Sequence, residues 1–210
     1  MGSRTRRERE KENMRISILE AATKIIIEEG YDNLSMRRLA DAIEYTPTTI
    51  YSYYKDKAQI VDDIVFNIYM EILSNIKKTL EDNENLSADK QLELCCKEFI
   101  NTMVSKPEMG KAVIMSGTEA MFGPHESGAL SEEHGVYLLK NLLQKGQQQS
   151  VLRELDENVS WMIISALIGF SINAIQSKLY LDGNFQRLVE IYTEILINGV
   201  LSKESIYAER

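Results

Sequence analysis

The stretch EYTPTTIYSYYKDK, Glu44 to Lys57, holds four tyrosines, three threonines and one proline within fourteen residues. So many hydroxyl groups are unusual in a core helix, and so many aromatic rings are unusual in a surface loop. Pro47 favours the first position of a helix, which predicts a helix that begins at Thr46 and ends near Tyr53 or Tyr54. The exposed side chains of such a helix are available to an external partner.

A second short helix precedes this segment. Ser35 is a good N-cap, and Leu39, Ala40 and Ile43 recur on one face, which predicts a helix that runs to about Ile43. Three residues, Glu44-Tyr45-Thr46, then join the two helices, which is helix-turn-helix geometry. The second helix of such a pair fits the major groove of duplex DNA.

The side chains of this second helix suit DNA. Thr48 and Thr49 lie on its first turn, where their hydroxyls reach base edges and their methyls contact thymine. Tyr51 and Tyr53 can donate hydrogen bonds to phosphate oxygens. Ile50 points inward.

Two lysines, Lys55 and Lys57, follow as point charges near the phosphates. The next helix begins at Asp56, with Gln59 completing a capping box, and its positive dipole end faces the same phosphates.

Residues 13–60 resemble the TetR-type bacterial transcription regulators. The resemblance rests on ILEAATKIIIEEGYDNLSMRRLADAI followed by YTPTTIYSYYKDKAQI, and covers the order and spacing of several short motifs. It implies that Tyr51 and Lys57 hold phosphates and that Arg37 reaches the groove from the second helix. The predicted DNA-binding residues are Arg37, Thr46, Pro47, Thr48, Thr49, Tyr51, Tyr53, Lys55 and Lys57.

Three positions depart from the family pattern. Glu44 stands where glycine is common in the turn, so it needs a left-handed backbone at about 1 kcal/mol unless the turn takes another path. Thr48 replaces a frequent glycine and places an extra side chain toward the groove. Tyr54 replaces the usual phenylalanine and must satisfy a hydroxyl at the core edge.

The whole chain reads as all-α, with about nine helices. The first runs from about residue 13 to residue 29, and the later ones are expected at about 87–105, 108–116, 131–149, 157–180 and 185–202. We expect a helix-turn-helix domain at 1–57, with a flexible arm at 1–12. The resemblance implies a ligand-binding and dimerisation domain at 58–210.

Charge is distributed unevenly along the 210 residues. Residues 1–57 carry 11 basic and 10 acidic side chains, a net +1, whereas the remainder carries 13 and 22, a net −9. This favours nucleic-acid binding by the front segment alone. The adjacent Cys95 and Cys96 form no disulfide framework, and no signal peptide is visible, which together predict a cytoplasmic protein.

The apolar run from Val159 to Ile175 has 17 residues with polar interruptions, so a buried helix is favoured over a membrane span. A helix that is apolar on most sides must be covered on each of them, which predicts a homodimer, although a central helix of a monomer is an alternative. The expected interface residues are Ser165, Ile168, Gly169, Ile172, Tyr192, Ile195 and Leu196.

Soft and bulky side chains predict a pocket for a small apolar or aromatic effector, with ordinary core filling as the alternative. The expected lining residues are Tyr69, Phe99, Met103, Met115, Met121, Phe122, Tyr137 and Trp161. No cofactor and no metal are predicted, because Cys95, His125 and His134 lack any known ligand spacing.

These features predict a homodimeric DNA-binding regulator, most simply a repressor that an effector releases from a palindromic operator. One alternative is an architectural DNA-binding protein without an effector. A second is an all-α enzyme whose front segment binds protein.

Overall fold

The structure is a computed structural model that describes residues 6–108, 110, 135–156 and 158–202. These residues form eight α-helices and no strand, so the prediction of an all-α fold is confirmed. The bounds are α1 Arg6–Glu29, α2 Met36–Ala42, α3 Pro47–Tyr51, α4 Lys57–Asp82, α5 Ala88–Ser105, α6 Gly135–Gln148, α7 Val159–Gln176 and α8 Phe185–Asn198. The predicted helix at 108–116 lies almost wholly outside the described residues.

The first helix is longer than predicted. The expectation of a flexible arm over residues 1–12 is wrong for residues 6–12, which form the first two turns of α1, while residues 1–5 lie outside the described part. Arg6 Nε donates to Glu10 Oε1 at 2.7 Å, one helical turn away. Arginine, lysine and glutamate are strong helix formers, so a helix extends here without an apolar stripe.

The chain divides into two compact units. The first comprises Met1–Tyr69 and Glu108–Gly123, and the second comprises Met70–Pro107 and Pro124–Arg210. The first turns of α4 belong to the first unit because Ile60, Val61 and Ile64 are buried there. The compact unit therefore extends past residue 57, and the functional boundary at residue 57 stays a prediction.

In the second unit, α5 is the central helix. It packs against α6, α7 and α8, and α6 also packs against α7. By length and composition alone, α7 is apolar enough to cross a membrane. Eight of its side chains, Ile164 and Leu167 among them, are buried within this unit.

Candidate nucleic-acid interface

Both short helices begin as their sequences predict. The Ser35 hydroxyl accepts a hydrogen bond from the Arg38 amide at 3.1 Å and so caps α2. The Thr46 hydroxyl accepts from the Thr49 amide at 3.2 Å, with Pro47 at the first position of α3. α3 ends at Tyr51, earlier than predicted, since the amides of Tyr53 and Tyr54 both bond to the Ile50 carbonyl and close a turn.

The turn between these helices contains a residue with a left-handed backbone conformation that is not glycine. Glu44 has a φ of 59°, which is the left-handed backbone that its position was expected to need. The next amide, that of Tyr45, donates to the Ala40 carbonyl at 2.9 Å and closes the end of α2. The turn therefore follows the path that glycine would favour, with the strain of a side chain added.

Burial separates the two faces of α3. Ile50 is fully buried, as predicted, together with Leu39 and Ala40 of α2. Among the predicted DNA-binding residues, Thr49, Tyr53 and Lys57 are half-buried, and the exposed ones are Arg37, Thr46, Pro47, Thr48, Tyr51 and Lys55. The ring of Tyr51 is 56% exposed, so core packing does not explain it. All nine residues are thus accessible, and their contacts with DNA stay a prediction.

The threonines are partly engaged with one another. The hydroxyls of Thr46 and Thr49 lie 3.0 Å apart, within hydrogen-bond distance. Because Thr46 also caps α3, its oxygen is occupied on the protein side. Thr48 is exposed, whereas Thr49 is half-buried. Of these two threonines on the first turn of α3, Thr48 therefore has the more available hydroxyl.

The two neighbouring arginines of α2 differ in their surroundings. Arg38 forms an ion pair with Glu29 at the end of α1, and its Nε donates to Glu29 Oε2 at 3.1 Å. Hydrogen bonding from Arg38 lowers the pKa of the Glu29 carboxyl, and the same bond raises the pKa of Arg38. Arg37 is exposed and has no ion pair within the described ranges, so its charge is the more available to phosphate.

The start of α4 is held by reciprocal hydrogen bonds. The Asp56 carboxylate accepts from the Gln59 amide at 3.0 Å, and the Gln59 side chain accepts from the Lys55 amide at 2.9 Å. This is close to the predicted capping box, with the return bond displaced by one residue. It fixes the backbone that carries Lys55 and Lys57.

Tyr54 finds its hydroxyl partner at the core edge. The ring is 1% exposed, and its hydroxyl donates to Asp63 Oδ2 on α4 at 2.9 Å. Burial raises the pKa of Tyr54 to about 12. The Arg15 guanidinium lies 5.0 Å from the ring centroid and 3.8 Å from Asp63, so three elements meet at this side chain. The sequence predicted that a partner was needed, but not that Asp63 and Arg15 supply the contacts.

Tyr45 is a surface residue for which the sequence pattern predicts no role. Its ring is 50% exposed and lies in the turn immediately before the cap of α3. A large aromatic residue in a tight turn was the signal that could have drawn attention to it. Its position adjoins the predicted DNA-binding residues.

The predicted effector pocket is only partly described. Tyr69, Phe99 and Met103 are buried, whereas Tyr137 is 36% and Trp161 is 41% exposed. The remaining lining residues, Met115, Met121 and Phe122, lie outside the described residues. Two cavities of about 480 and about 330 Å³, one beside α1 and one between α5 and α8, are lined by none of these side chains.

The predicted dimer residues divide into buried and exposed groups. Ile168 is buried within the protomer, and the half-buried Tyr192 stacks on Phe170 at 4.2 Å between ring centroids. Ser165 and Gly169 are exposed, Ile172 and Leu196 are half-buried, and Ile195 is 65% exposed. Further exposed apolar side chains accompany them on α7 and α8, namely Met162, Leu188 and Ile191.

The remaining sequence predictions concern the cysteines, the histidines and possible metal ligands. No group of three or more potential metal ligands occurs among them. Cys95 and Cys96 are free and buried, and burial raises the pKa of each thiol to about 12. His125 and His134 fall outside the described part of the chain.

Comparison with known proteins points to one family. Residues 18–64 match the family of bacterial regulatory proteins described as the tetR family. A TetR-family transcriptional regulator from Pectobacterium atrosepticum shares 21% sequence identity, covers 95% of this chain and 99% of its own, and has a TM-score of 0.72. A search of curated proteins found no match.

Two further solved structures share the fold. FadR, a fatty acid degradation regulator from Bacillus halodurans, is 19% identical, covers 87% of this chain and 94% of its own, and has a TM-score of 0.68. A structure described as the basis for control of antibiotic production by bacterial hormones is 17% identical, with coverages of 90% and 98% and a TM-score of 0.64. Residues 18–64 of this chain thus match the tetR family of bacterial regulatory proteins, and the all-α fold of the chain is shared with solved regulators of that kind.

Proposed function

We propose that this protein is a homodimeric transcriptional repressor that binds a palindromic DNA operator and releases it when a small effector binds. The observation that carries the proposal is the exposed face of the capped helix α3. Thr48 and Tyr51 point away from the core there, while Ile50 anchors the helix from the other side. A short rigid helix with exposed hydroxyls and rings fits the major groove.

The proposed contacts fall into two classes. Thr48 and Thr49 read base edges, and thereby determine which sequence is preferred. Tyr51, Lys55 and Lys57 contact phosphates, and thereby contribute affinity on any sequence. Arg37 approaches from α2.

A second copy of the chain completes the binding unit in this proposal. On α8, Leu188, Ile191 and Ile195 follow helical spacing and are each at least 38% exposed. On α7, the exposed Ser165 and Gly169 permit close approach of a partner helix. Pairing of these faces would cover apolar surface and set two recognition helices about 34–36 Å apart on the operator.

The effector is proposed to be small and apolar or aromatic. The buried Phe99 and Met103 in α5 supply adaptable apolar surface in the second unit. FadR is described as regulating fatty acid degradation, and the other similar structure concerns bacterial hormones. An effector that binds the DNA-released state more tightly shifts the population away from DNA. We propose that the protein is cytoplasmic, acts without a cofactor and catalyses no reaction.

DNA titration over a series of salt concentrations tests the proposal. The logarithm of affinity should fall linearly with the logarithm of salt, with a slope of about −0.9 per phosphate contact. Lys57→Gln and Tyr51→Phe should weaken binding to operator and unrelated duplex alike. Thr48→Ala and Thr49→Ala should change the preferred sequence. Lys140→Gln, an exposed lysine of the second unit, is the matched control for lost charge.

The outcome that contradicts the groove assignment is an unchanged sequence preference in both threonine variants. The architectural alternative makes a different prediction, since no small molecule should then loosen the DNA complex. Trp161 is the only tryptophan, and its ring is 41% exposed, so its emission can report effector binding in the second unit.

A further inference from the structure

An aromatic ring lies beneath one of the proposed phosphate-binding lysines. The Lys57 ammonium is 4.7 Å from the centroid of the Tyr31 ring. Tyr31 belongs to the short 3₁₀ helix Tyr31–Asn33 after α1, and Lys57 is the first residue of α4. Residues 26 positions apart are thus joined by a cation–π contact, which requires the cation within about 6 Å of the ring centroid.

The backbone on both sides of this contact is held in place. Gly30 has a φ of 89°, which an L side chain rarely adopts, and this bend carries the chain into Tyr31. On the other side, the Asp56 carboxylate caps α4 next to Lys57. Neither anchor uses the lysine side chain itself, so the ring is what restrains the ammonium.

An aromatic partner and a carboxylate partner affect the net charge around a cationic side chain differently. Arg38 is held by the carboxylate of Glu29, which cancels its charge locally. The face of an aromatic ring attracts a cation without carrying a formal negative charge. The ammonium therefore keeps its charge, and its N–H donors that point away from the ring stay available. Within the described ranges Lys57 forms no ion pair with a carboxylate, so it keeps its full attraction for phosphate.

Flexibility explains why such a restraint is useful. A lysine side chain loses as much as about 2 kcal/mol of rotamer entropy when it is fixed. A contact that fixes part of the side chain before DNA arrives removes part of that cost from binding. Lys55, two residues earlier, is exposed and has no comparable ring contact in the described structure.

We propose that Tyr31 is a positioning residue for DNA binding, whose ring pre-orients the Lys57 ammonium toward the phosphate backbone while leaving its charge intact. This inference rests on the proposed function, because it assigns Lys57 to phosphate. Tyr31 itself need not touch DNA. Its contribution is independent of base sequence.

The test is a double-mutant cycle on DNA affinity with the full-length protein. Tyr31→Leu removes the aromatic face but keeps an apolar side chain, and Tyr31→Phe keeps the face and is the matched control. An exposed cation–π contact corresponds to about two- to five-fold in affinity per DNA-binding head. Tyr31→Leu should lower affinity by that factor on operator and unrelated duplex, and Tyr31→Phe should leave it unchanged.

Repeating the Tyr31 substitution in a Lys57→Gln background distinguishes a role of Tyr31 in positioning the lysine from a role in supporting the fold. If Tyr31 acts through the lysine, Tyr31→Leu should have no further effect in that background. An equal loss with and without Lys57 would mean that Tyr31 supports the fold instead, and would overturn the inference. Loss of affinity in Lys57→Gln with no change in Tyr31→Leu would also overturn it while leaving the proposed function intact.

A different outcome would concern the proposed function itself. If Lys57→Gln changes neither affinity nor the salt slope, the assignment of Lys57 to phosphate fails. Should Tyr31→Leu not fold, phenylalanine analogues with increasing ring fluorination at position 31 replace it, because they weaken the ring quadrupole with little change of shape. Affinity should then fall stepwise with fluorination, and a flat response would refute the positioning role.

Discussion

Replacement of Tyr54 by phenylalanine removes one buried hydroxyl and nothing else from the DNA-binding head. The hydroxyl donates to the Asp63 carboxylate at 2.9 Å, and the ring is 1% exposed. The Arg15 guanidinium, 5.0 Å from the ring centroid, keeps its aromatic neighbour in the variant. The substitution removes the hydrogen bond to Asp63 together with the polar contact between the hydroxyl and Arg15.

The magnitude follows from the surroundings of Asp63. Hydrogen bonds to charged groups contribute about 1.5–3 kcal/mol to stability. The Asp63 side chain is 42% exposed, so water can replace the lost donor in part. We therefore expect Tyr54→Phe to lower the free energy of unfolding by about 1–1.5 kcal/mol, at or below the lower end of that range.

The assay is guanidinium unfolding followed by far-UV circular dichroism. Trp161 emission, which reports the second unit, is the internal reference. Tyr45→Phe, which deletes a hydroxyl from a half-exposed ring, is the matched control and should stay within about 0.5 kcal/mol of the parent. In an Asp63→Ala background the cost of Tyr54→Phe should fall, because the hydroxyl has then already lost its carboxylate acceptor and keeps only its contact with Arg15. The reasoning is refuted if Tyr54→Phe is as stable as the parent, or if it costs the same without Asp63.

The remaining predictions concern thiols, assembly and pH. Burial raises the pKa of Cys95 and Cys96 to about 12, so both should resist a thiol reagent at pH 8 in the folded protein and react fully in denaturant. Ile195→Glu should shift sedimentation toward the monomer, whereas Leu181→Glu, equally exposed but off the α8 stripe, should leave the dimer intact. For Tyr54, the fold favours the neutral phenol, whose pKa rises from 10.0 to about 12. The contribution of Tyr54 to the free energy of unfolding is complete below about pH 10 and is lost as the pH rises toward 12. Between these two pH values, the free energy of unfolding should therefore fall more steeply for the parent than for Tyr54→Phe.

Local signals in the sequence were sufficient for the elements of the DNA-binding head. Ser35 and Thr46 cap α2 and α3 as predicted, and Ile50 is buried as its position indicates. Glu44 takes the left-handed backbone, one of the two paths that the resemblance to a family with glycine in this turn left open. Such features depend on a few neighbouring residues, which is why a sequence read alone can reveal them.

Features that depend on distant parts of the chain were not visible in the sequence. The charged residues 6–12 extend α1, although they show no apolar periodicity. Ile168 is buried inside its own protomer and Tyr192 stacks on Phe170, contacts that the sequence did not indicate, and their part in a dimer interface stays a prediction. An apolar helix must be covered on several sides, but composition does not say which side a neighbouring helix of the same chain covers.

By itself, the sequence determined the all-α fold class, the helix-turn-helix and the side chains that this motif exposes. Only the tertiary structure decided that Tyr54 bonds Asp63, that Arg38 pairs with Glu29 and that Tyr31 lies beneath Lys57. The physical reason is the range of the interactions. Caps, turns and helical stripes act within one or two turns of the chain, whereas these partners lie 9 or more residues apart and meet only when separate helices pack.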